Sequence, residues 1–301
     1  MTNISPIVST QWLADHLDDA NLRILDATTF LKLPSGDGLY SITNGRDAYE
    51  QEHIPGAVHA DVVNDLADPN DKKAFTIPSR ERFVDHIEKL GVGDGNHVVI
   101  YDRIAEVGSA NSASDWASRV WWQLRFEGFE HVSILDGGFR KWKAEGRDVN
   151  SGIEEYPRGT FTGERRRELL ATKSDVENAI EDRNTILMNC LSPDVFSGKV
   201  NTYGRPGHIP GSKNVYFADL SDHDSLLIKK EEELRAIFEP TDVFNRRKKV
   251  ITYCGGGIAA TWNAFILYTL GRKDVAIYDG SMTEWVQDES APLVISEGLY
   301  K

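Results

Sequence analysis

An internal repeat constrains the fold of this chain more than any other feature, because three segments recur in the same order in its two halves. The matched pairs are His53–Gly56 with His208–Gly211, Val98–Asp102 with Val250–Cys254, and Val132–Gly137 with Val275–Gly280. The order is kept while the loops between the segments differ in length. A repeat of this length is too long for a solenoid and predicts a duplicated domain of roughly 130–150 residues.

The duplication predicts two domains joined by a linker. The chain has 301 residues, which suits two domains of roughly 100–200 residues each. We predict a first domain over residues 1–150, a linker over 151–171 and a second domain over 172–301. The linker is placed there because glycines and a proline accompany the charged run Glu164–Glu168.

Both predicted domains alternate short apolar runs typical of strands with segments of helical periodicity. The predicted strands are 22–26, 97–102, 131–136, 185–190, 249–254 and 274–279, and the predicted helices are 80–90, 114–127, 173–182, 231–238 and 258–270. Strands that alternate with helices are typical of parallel sheets covered on both faces. The predicted fold class is therefore α/β, with two tandem domains that each contain a mostly parallel sheet with helices on both faces.

Charge and composition exclude several classes of partner. The chain has 34 basic and 47 acidic residues and a net charge of −13, so its field repels nucleic acid and anionic membrane surfaces. No apolar stretch approaches the roughly 20 residues of a membrane span, and residues 1–17 lack a secretory signal pattern. The low number of cysteines, two, favours a reducing compartment, and the lack of a targeting pattern favours the cytoplasm. The eight histidines are dispersed and predict no metal site.

The second domain contains a loop suited to anion chemistry. Cys254 ends a predicted central strand, and Gly255, Gly256 and Gly257 lie between it and a predicted helix. Open α/β sheets bind ligands at the carboxyl ends of their strands. Glycines let backbone N–H groups turn inward, and the helix adds its positive N-terminal end. This loop, continued by Ile258 and Ala259, is predicted to stabilise a Cys254 thiolate.

The other cysteine is interpreted differently. Cys190 ends an apolar predicted strand and has no glycine loop after it. Buried cysteine is common in protein cores, so the sequence favours a packing role. Its strand ends at the same sheet edge as the strand before Cys254, which leaves open a position near the site.

Seven short motifs are spread over nearly the whole chain. They are Asp26-Ala27, His53–Ala57, Arg119–Trp122, Leu135–Gly138, Gly207–Ser212, Tyr278–Ser281 and Glu284-Trp285. Together and in this order they are specific, and through them the chain resembles a known family, the tandem-domain rhodanese-like sulfurtransferases, which act on thiosulfate or 3-mercaptopyruvate. The resemblance implies a catalytic second domain in which the family cysteine is matched by Cys254.

The resemblance also implies a mechanism. A Cys254 thiolate would attack the sulfane sulfur of a small donor and become a persulfide, which a thiol, cyanide or protein acceptor would then discharge. Such chemistry needs no metal or organic cofactor. The first domain has Asp102 where the nucleophile would stand and is implied to be non-catalytic.

The chain departs from the family pattern directly after the cysteine. Thiosulfate-preferring members have basic residues there, whereas mercaptopyruvate-preferring members have a small residue and a serine linked to a histidine and an aspartate. Here Gly255 and Gly256 occupy those positions, Phe75 stands in place of the histidine, and Asp61 retains the aspartate. The neutral loop favours mercaptopyruvate or another organic donor over thiosulfate.

The family arginines that bind a substrate carboxylate are incomplete. Leu191 and Val195 stand around the first arginine position. Arg205 and Lys199 are the candidate substrate-binding residues, with solvated loop charges as the alternative. His53 and His208 recur in both halves, including the half without a nucleophile, which favours structural hydrogen bonding over catalysis.

Two other functions are consistent with parts of the pattern. A cysteine phosphatase would use a thiolate in an N–H cradle, but its loop requires a terminal arginine for phosphate, and residues 254–261 contain none. The missing family residues instead allow a catalytically weakened binding, regulatory or sulfur-carrier module on the same fold. Such a module would fold normally and acquire little or no persulfide from small donors.

Overall fold

The computed structural model describes residues 5–32, 41–104 and 113–296, and the chain divides into two compact units. Unit 1 contains Met1–Arg166 and His223–Leu227, and unit 2 contains Arg167–Asp222 and Ile228–Lys301. Residues after 150 pack on unit 1, where the Tyr156 hydroxyl donates to the Gly56 carbonyl at 2.7 Å. The domain limits stated above, with their linker over 151–171, stay a prediction.

In unit 1, strands and helices alternate along most of the chain. The strands are β1 (Ile7–Val8), β2 (Leu22–Asp26), β3 (Thr29–Lys32), β4 (Ser41–Asn44), β5 (Ala57–His59), β6 (His97–Tyr101) and β7 (Val132–Leu135). The helices are α1 (Thr10–Asp15), α2 (Arg46–Gln51), α3 (Arg80–Lys89), α4 (Asp115–Phe126) and α5 (Gly138–Ala144). The short pair β3 and β4 forms an antiparallel hairpin outside the main sheet.

Unit 2 repeats this alternation. Its strands are β8 (Leu170–Ala171), β9 (Thr185–Asn189), β10 (Lys213–Asn214), β11 (Lys249–Tyr253) and β12 (Val275–Tyr278). Its α-helices are α6 (Lys173–Ala179), α7 (Pro193–Ser197), α8 (Glu231–Phe238), α9 (Ala259–Thr269) and α10 (Ser281–Trp285), with 3-10 turns at Arg167–Leu169, Phe217–Leu220 and Glu239–Thr241.

The two main sheets have the same topology, which confirms the predicted fold class. The strand order is β1-β7-β6-β2-β5 in unit 1 and β8-β12-β11-β9-β10 in unit 2. Every neighbouring pair in these sheets is parallel. The duplication extends to single bonds, since the Tyr101 hydroxyl accepts from the Ile54 N–H and the Tyr253 hydroxyl accepts from the Ile209 N–H.

Helices cover both faces of the main sheet in unit 2. On one face Ile251 and Tyr253 pack with Val176 of α6 and Trp285 of α10. On the other face α9 packs on β11 and β12. Alternation of side chains along β11 sends Thr252 to the α9 face, where its hydroxyl donates to the Ala260 carbonyl at 3.1 Å.

The sequence pattern predicts no helix at α5 or α10. Both follow the third long strand of their unit and have at most seven residues, so they show less than two full turns of periodicity. Their buried tryptophans, Trp142 and Trp285, each donate an indole N–H to a later carbonyl, at Asp148 and Pro292. In the described part of the chain, no helix combines the length and the apolar character of a membrane span.

Candidate active site

Cys254 lies directly after β11, the central strand of the unit 2 sheet, at its carboxyl edge. Its side chain is almost fully buried, with 2% of the residue surface exposed. The Cys254 carbonyl accepts from the Met282 N–H at 3.1 Å, and its own N–H donates to the Ser281 hydroxyl at 3.1 Å. Both polar groups of the Cys254 backbone are therefore fixed by the start of α10.

Ser281, which accepts the hydrogen bond from the Cys254 N–H, has a strained backbone conformation. Its φ is +48°, in the left-handed region that few residues other than glycine adopt, and it is fully buried. Its hydroxyl donates to the Tyr278 carbonyl at 2.8 Å while it accepts from Cys254. The matching residue in unit 1 is Gly138, with φ of +56°. Serine in this conformation costs about 1 kcal/mol or more of folding free energy relative to glycine. The two hydrogen bonds of its hydroxyl, which glycine cannot make, offset this cost.

The loop from Gly255 to Ile258 joins Cys254 to α9. Gly257 has φ of +77°, and it is the one of the three loop glycines, all of them described, that takes a positive φ. Thr283 fixes the start of the loop by donating both its N–H (2.9 Å) and its hydroxyl (2.7 Å) to the Gly255 carbonyl.

The N-terminus of α9 opens towards this loop. Ile258 is its N-cap residue and provides no side-chain hydrogen bond to the first turn. Helix N-termini without such a cap present N–H groups and a positive partial charge to an anion. The anion cradle expected from Gly255, Gly256, Gly257, Ile258 and Ala259 stays a prediction.

Tyr203 packs against the loop that follows Cys254, a contact that the sequence pattern did not predict. A Cβ added to Gly255 would overlap the Tyr203 hydroxyl and lie 2.8 Å from the ring Cε1, so the phenol packs directly on the glycine. Tyr203 is half-buried and rests against the unit 2 core. Its segment has no helical or strand periodicity, and the sequence therefore contained no signal for this contact.

The two predicted basic ligands both have protein partners. The Arg205 guanidinium donates to the backbone carbonyls of Asp288 (2.7 Å) and Ala291 (2.8 Å), which anchors the C-terminal segment of unit 2. The Lys199 ammonium is 3.1 Å from the Asp194 carboxylate, and both side chains are largely exposed. Their assignment as substrate ligands stays a prediction.

Asp61, the third predicted ligand, lies in unit 1 and is buried. Its carboxylate accepts from the side chains of Asn44 (2.6 Å) and Asn64 (2.9 Å) and from the N–H groups of Val63 and Asn64. Burial alone would raise the pKa of Asp61, but these hydrogen bonds outweigh it and lower the pKa below its usual value. Asp61 is therefore ionised at neutral pH.

Unit 1 has no thiol at the position that corresponds to Cys254. Asp102 stands there, and its carboxylate accepts from the Ala117 N–H at 2.9 Å. Burial raises the pKa of Asp102 well above its usual value. The repeated histidines have structural contacts, since His53 and His208 each hydrogen-bond a carbonyl oxygen, of Tyr49 and Phe196 respectively.

Comparison with known proteins identifies the family. The profile of the rhodanese-like domain matches residues 9–145 and 172–288. This chain belongs to the rhodanese-like family of tandem-domain sulfurtransferases. It is 33% identical to the human 3-mercaptopyruvate sulfurtransferase, over 98% of this chain and 96% of the human protein. It is 32% identical to the thiosulfate sulfurtransferase of Cricetulus griseus, over 97% of this chain and 95% of that protein.

A solved structure of the family supports the same assignment. The crystal structure of SseA from Escherichia coli, a 3-mercaptopyruvate sulfotransferase with the rhodanese fold, matches with a TM-score of 0.77 at 31% identity. The match covers 92% of this chain and 98% of SseA. The resemblance stated from sequence motifs is therefore confirmed.

Proposed function

We propose that this sulfurtransferase moves a sulfane sulfur from a small donor to a thiophilic acceptor through a persulfide on Cys254. The observation that carries the proposal is the position of Cys254, held through its backbone at the end of β11 beside the uncapped N-terminus of α9. The Cys254 thiolate attacks the outer sulfur of the donor, whose carbon or sulfite group leaves with the bonding electrons. Cyanide, a thiol or a protein thiolate then attacks the outer persulfide sulfur and regenerates the Cys254 thiolate.

Charge near the loop favours an organic donor. Residues 255–261 are all described and contain no lysine or arginine. Within this loop a thiosulfate dianion would meet backbone N–H groups and no basic side chain, whereas 3-mercaptopyruvate has a single negative charge. We therefore propose 3-mercaptopyruvate, or an organic thiol of similar charge, as the preferred donor in a cytoplasmic setting, which cell fractionation would test.

The donor assignment is tested by steady-state rates with cyanide as the acceptor and thiocyanate as the product. We expect kcat/KM for 3-mercaptopyruvate to exceed that for thiosulfate at least about tenfold, a difference of about 1.4 kcal/mol in transition-state binding. The reverse order would overturn the donor preference. No turnover and no persulfide with either donor would overturn the function and favour a binding module.

Ser281→Gly tests whether the backbone of Cys254 must be held. Glycine suits the positive φ of Ser281, so we expect the free energy of unfolding to change by less than about 1 kcal/mol. Loss of the hydroxyl that accepts from Cys254 should lower kcat about tenfold with little change in KM, equivalent to one hydrogen bond. Equal kcat values for the variant and the wild type would show that Ser281 does not position Cys254 for catalysis.

Arg205→Met separates anchoring from substrate binding. Loss of its two bonds to carbonyls should lower the free energy of unfolding by about 2 kcal/mol in urea denaturation. Lys199→Met is the matched control, because an exposed ion pair contributes about 0–1 kcal/mol. A tenfold rise in donor KM would establish the predicted substrate role of either residue, and an unchanged KM would exclude it.

A further inference from the structure

The two cysteines of unit 2 follow paired ends of neighbouring strands. Asn189 of β9 is in register with Tyr253 of β11, and the Cys190 N–H donates to the Tyr253 carbonyl at 2.9 Å, so the pairing continues to Cys190. Neighbouring strands lie about 4.8 Å apart. A disulfide spans Cα separations of about 4.4–6.8 Å. At this spacing, the Cα atoms of Cys190 and Cys254 would lie within the range that a disulfide spans.

The preceding register pair, Met188 and Thr252, indicates a common face for the two cysteine side chains. Met188 is in register with Thr252. Both contact α9, Thr252 through the Ala260 carbonyl and Met188 through a 3.8 Å contact from the Asn263 amide to its sulfur. Strand side chains alternate, so residues two positions later return to this face. Each cysteine comes one residue after its strand, so continued alternation would place Cys190 and Cys254 on the α9 side together.

The environment of Cys190 keeps its thiol protonated. Cys190 is fully buried, and its sulfur lies 3.7 Å from the Met188 carbonyl oxygen. Burial raises the pKa of Cys190 well above its usual value, and the charge of Cys254 raises it further. A protonated, buried thiol does not react with reagents in solution. A persulfide on Cys254, by contrast, would place an electrophilic sulfur next to the Cys190 thiol.

We propose that Cys190 resolves the Cys254 persulfide when no acceptor is available, releasing hydrogen sulfide; this inference rests on the proposed function. The Cys190 sulfur attacks Sγ of Cys254 and forms the Cys190–Cys254 disulfide. The bond between Sγ and the outer sulfur breaks, and the outer sulfur leaves with the electron pair and takes the Cys190 proton. No external oxidant is needed, because the persulfide already has the oxidation level of a disulfide.

Protonation of the Cys190 thiol disfavours this reaction relative to transfer to an acceptor. Thiolate, not thiol, is the attacking species in exchange, so a good acceptor discharges the persulfide first. Without an acceptor the internal reaction proceeds and leaves an oxidised, inactive protein. A dithiol then reduces the disulfide by two exchange steps and restores both thiols. The enzyme would thus release sulfide at the expense of a dithiol.

The experiment uses the full chain loaded with one equivalent of 3-mercaptopyruvate and then freed of small molecules. Free sulfide and intact mass are followed with time, for the wild type and for Cys190→Ala. In the wild type we expect about one equivalent of sulfide and a mass two hydrogens below the reduced protein. Cys190→Ala should keep one added sulfur and release less than about a tenth of the sulfide. Non-reducing peptide mapping should join the two cysteine-containing peptides.

The outcomes separate this inference from the proposed function. A wild type that keeps its added sulfur and releases no sulfide would overturn the role of Cys190 while sulfur transfer stands. Failure of both proteins to gain sulfur would instead overturn the proposed function. If the release rate rises with protein concentration, the persulfide is attacked by a second molecule and the internal step is excluded. Cys190→Val provides a second variant if alanine leaves the core too loosely packed.

Discussion

Replacing Cys254 with serine should lower turnover of either donor by at least about 10³-fold. A serine hydroxyl is a far weaker nucleophile than a cysteine sulfur, and sulfur is the atom that must carry the persulfide. The two side chains have nearly the same shape, so the fold should persist. Initial rates with cyanide and intact mass after donor exposure measure the effect, and thermal unfolding separates a lost nucleophile from a lost fold. Retention of more than a few percent of wild-type turnover would exclude Cys254 as the sulfur carrier.

The second large effect is expected from Gly257→Ala. Gly257 has φ of +77°, so a Cβ strains the loop and displaces the N–H groups that we propose hold the Cys254 persulfide. Loss of one preorganised donor typically costs about 10²–10³-fold in rate. We expect a fall of about 10²-fold in the single-turnover rate of persulfide formation.

Gly146→Ala is the matched control for this loop variant. Gly146 has φ of +69°, and a Cβ there would meet no atom within 4 Å. Both variants should lose about 1–2 kcal/mol of unfolding free energy from backbone strain, and the control should keep full turnover. Equal turnover in both variants would show that the conformation of the Gly257 loop does not matter for the chemistry.

Much of the fold was predictable because the repeat supplied the same evidence twice. The long strands and helices of both units agree with the predicted segments to within a few residues, since apolar periodicity extends over their full length. The placement of Cys254 before a glycine loop and a helix followed from local sequence alone.

Contacts between distant segments could not be predicted in this way. Ser281 meets Cys254 only because β12 lies beside β11, and the sequence shows no strand order. Tyr203 comes from an aperiodic segment, so nothing local indicated its contact with Gly255. Likewise, the local sequence around a charged residue such as Arg205 is the same whether its side chain contacts a substrate or a backbone carbonyl.

The occurrence of Gly138 in unit 1 at the position equivalent to Ser281 in unit 2 has an evolutionary consequence. Both residues come directly after the repeated Asp-Gly pair and have a left-handed backbone conformation. The strained serine is in the unit that contains Cys254. After a duplication, selection acts on each copy separately, and the copy without a nucleophile is free to drift to the relaxed residue. A descendant that loses the thiol of its second half should therefore replace the serine by glycine soon afterwards. In such lineages this single position would record which half still performs chemistry.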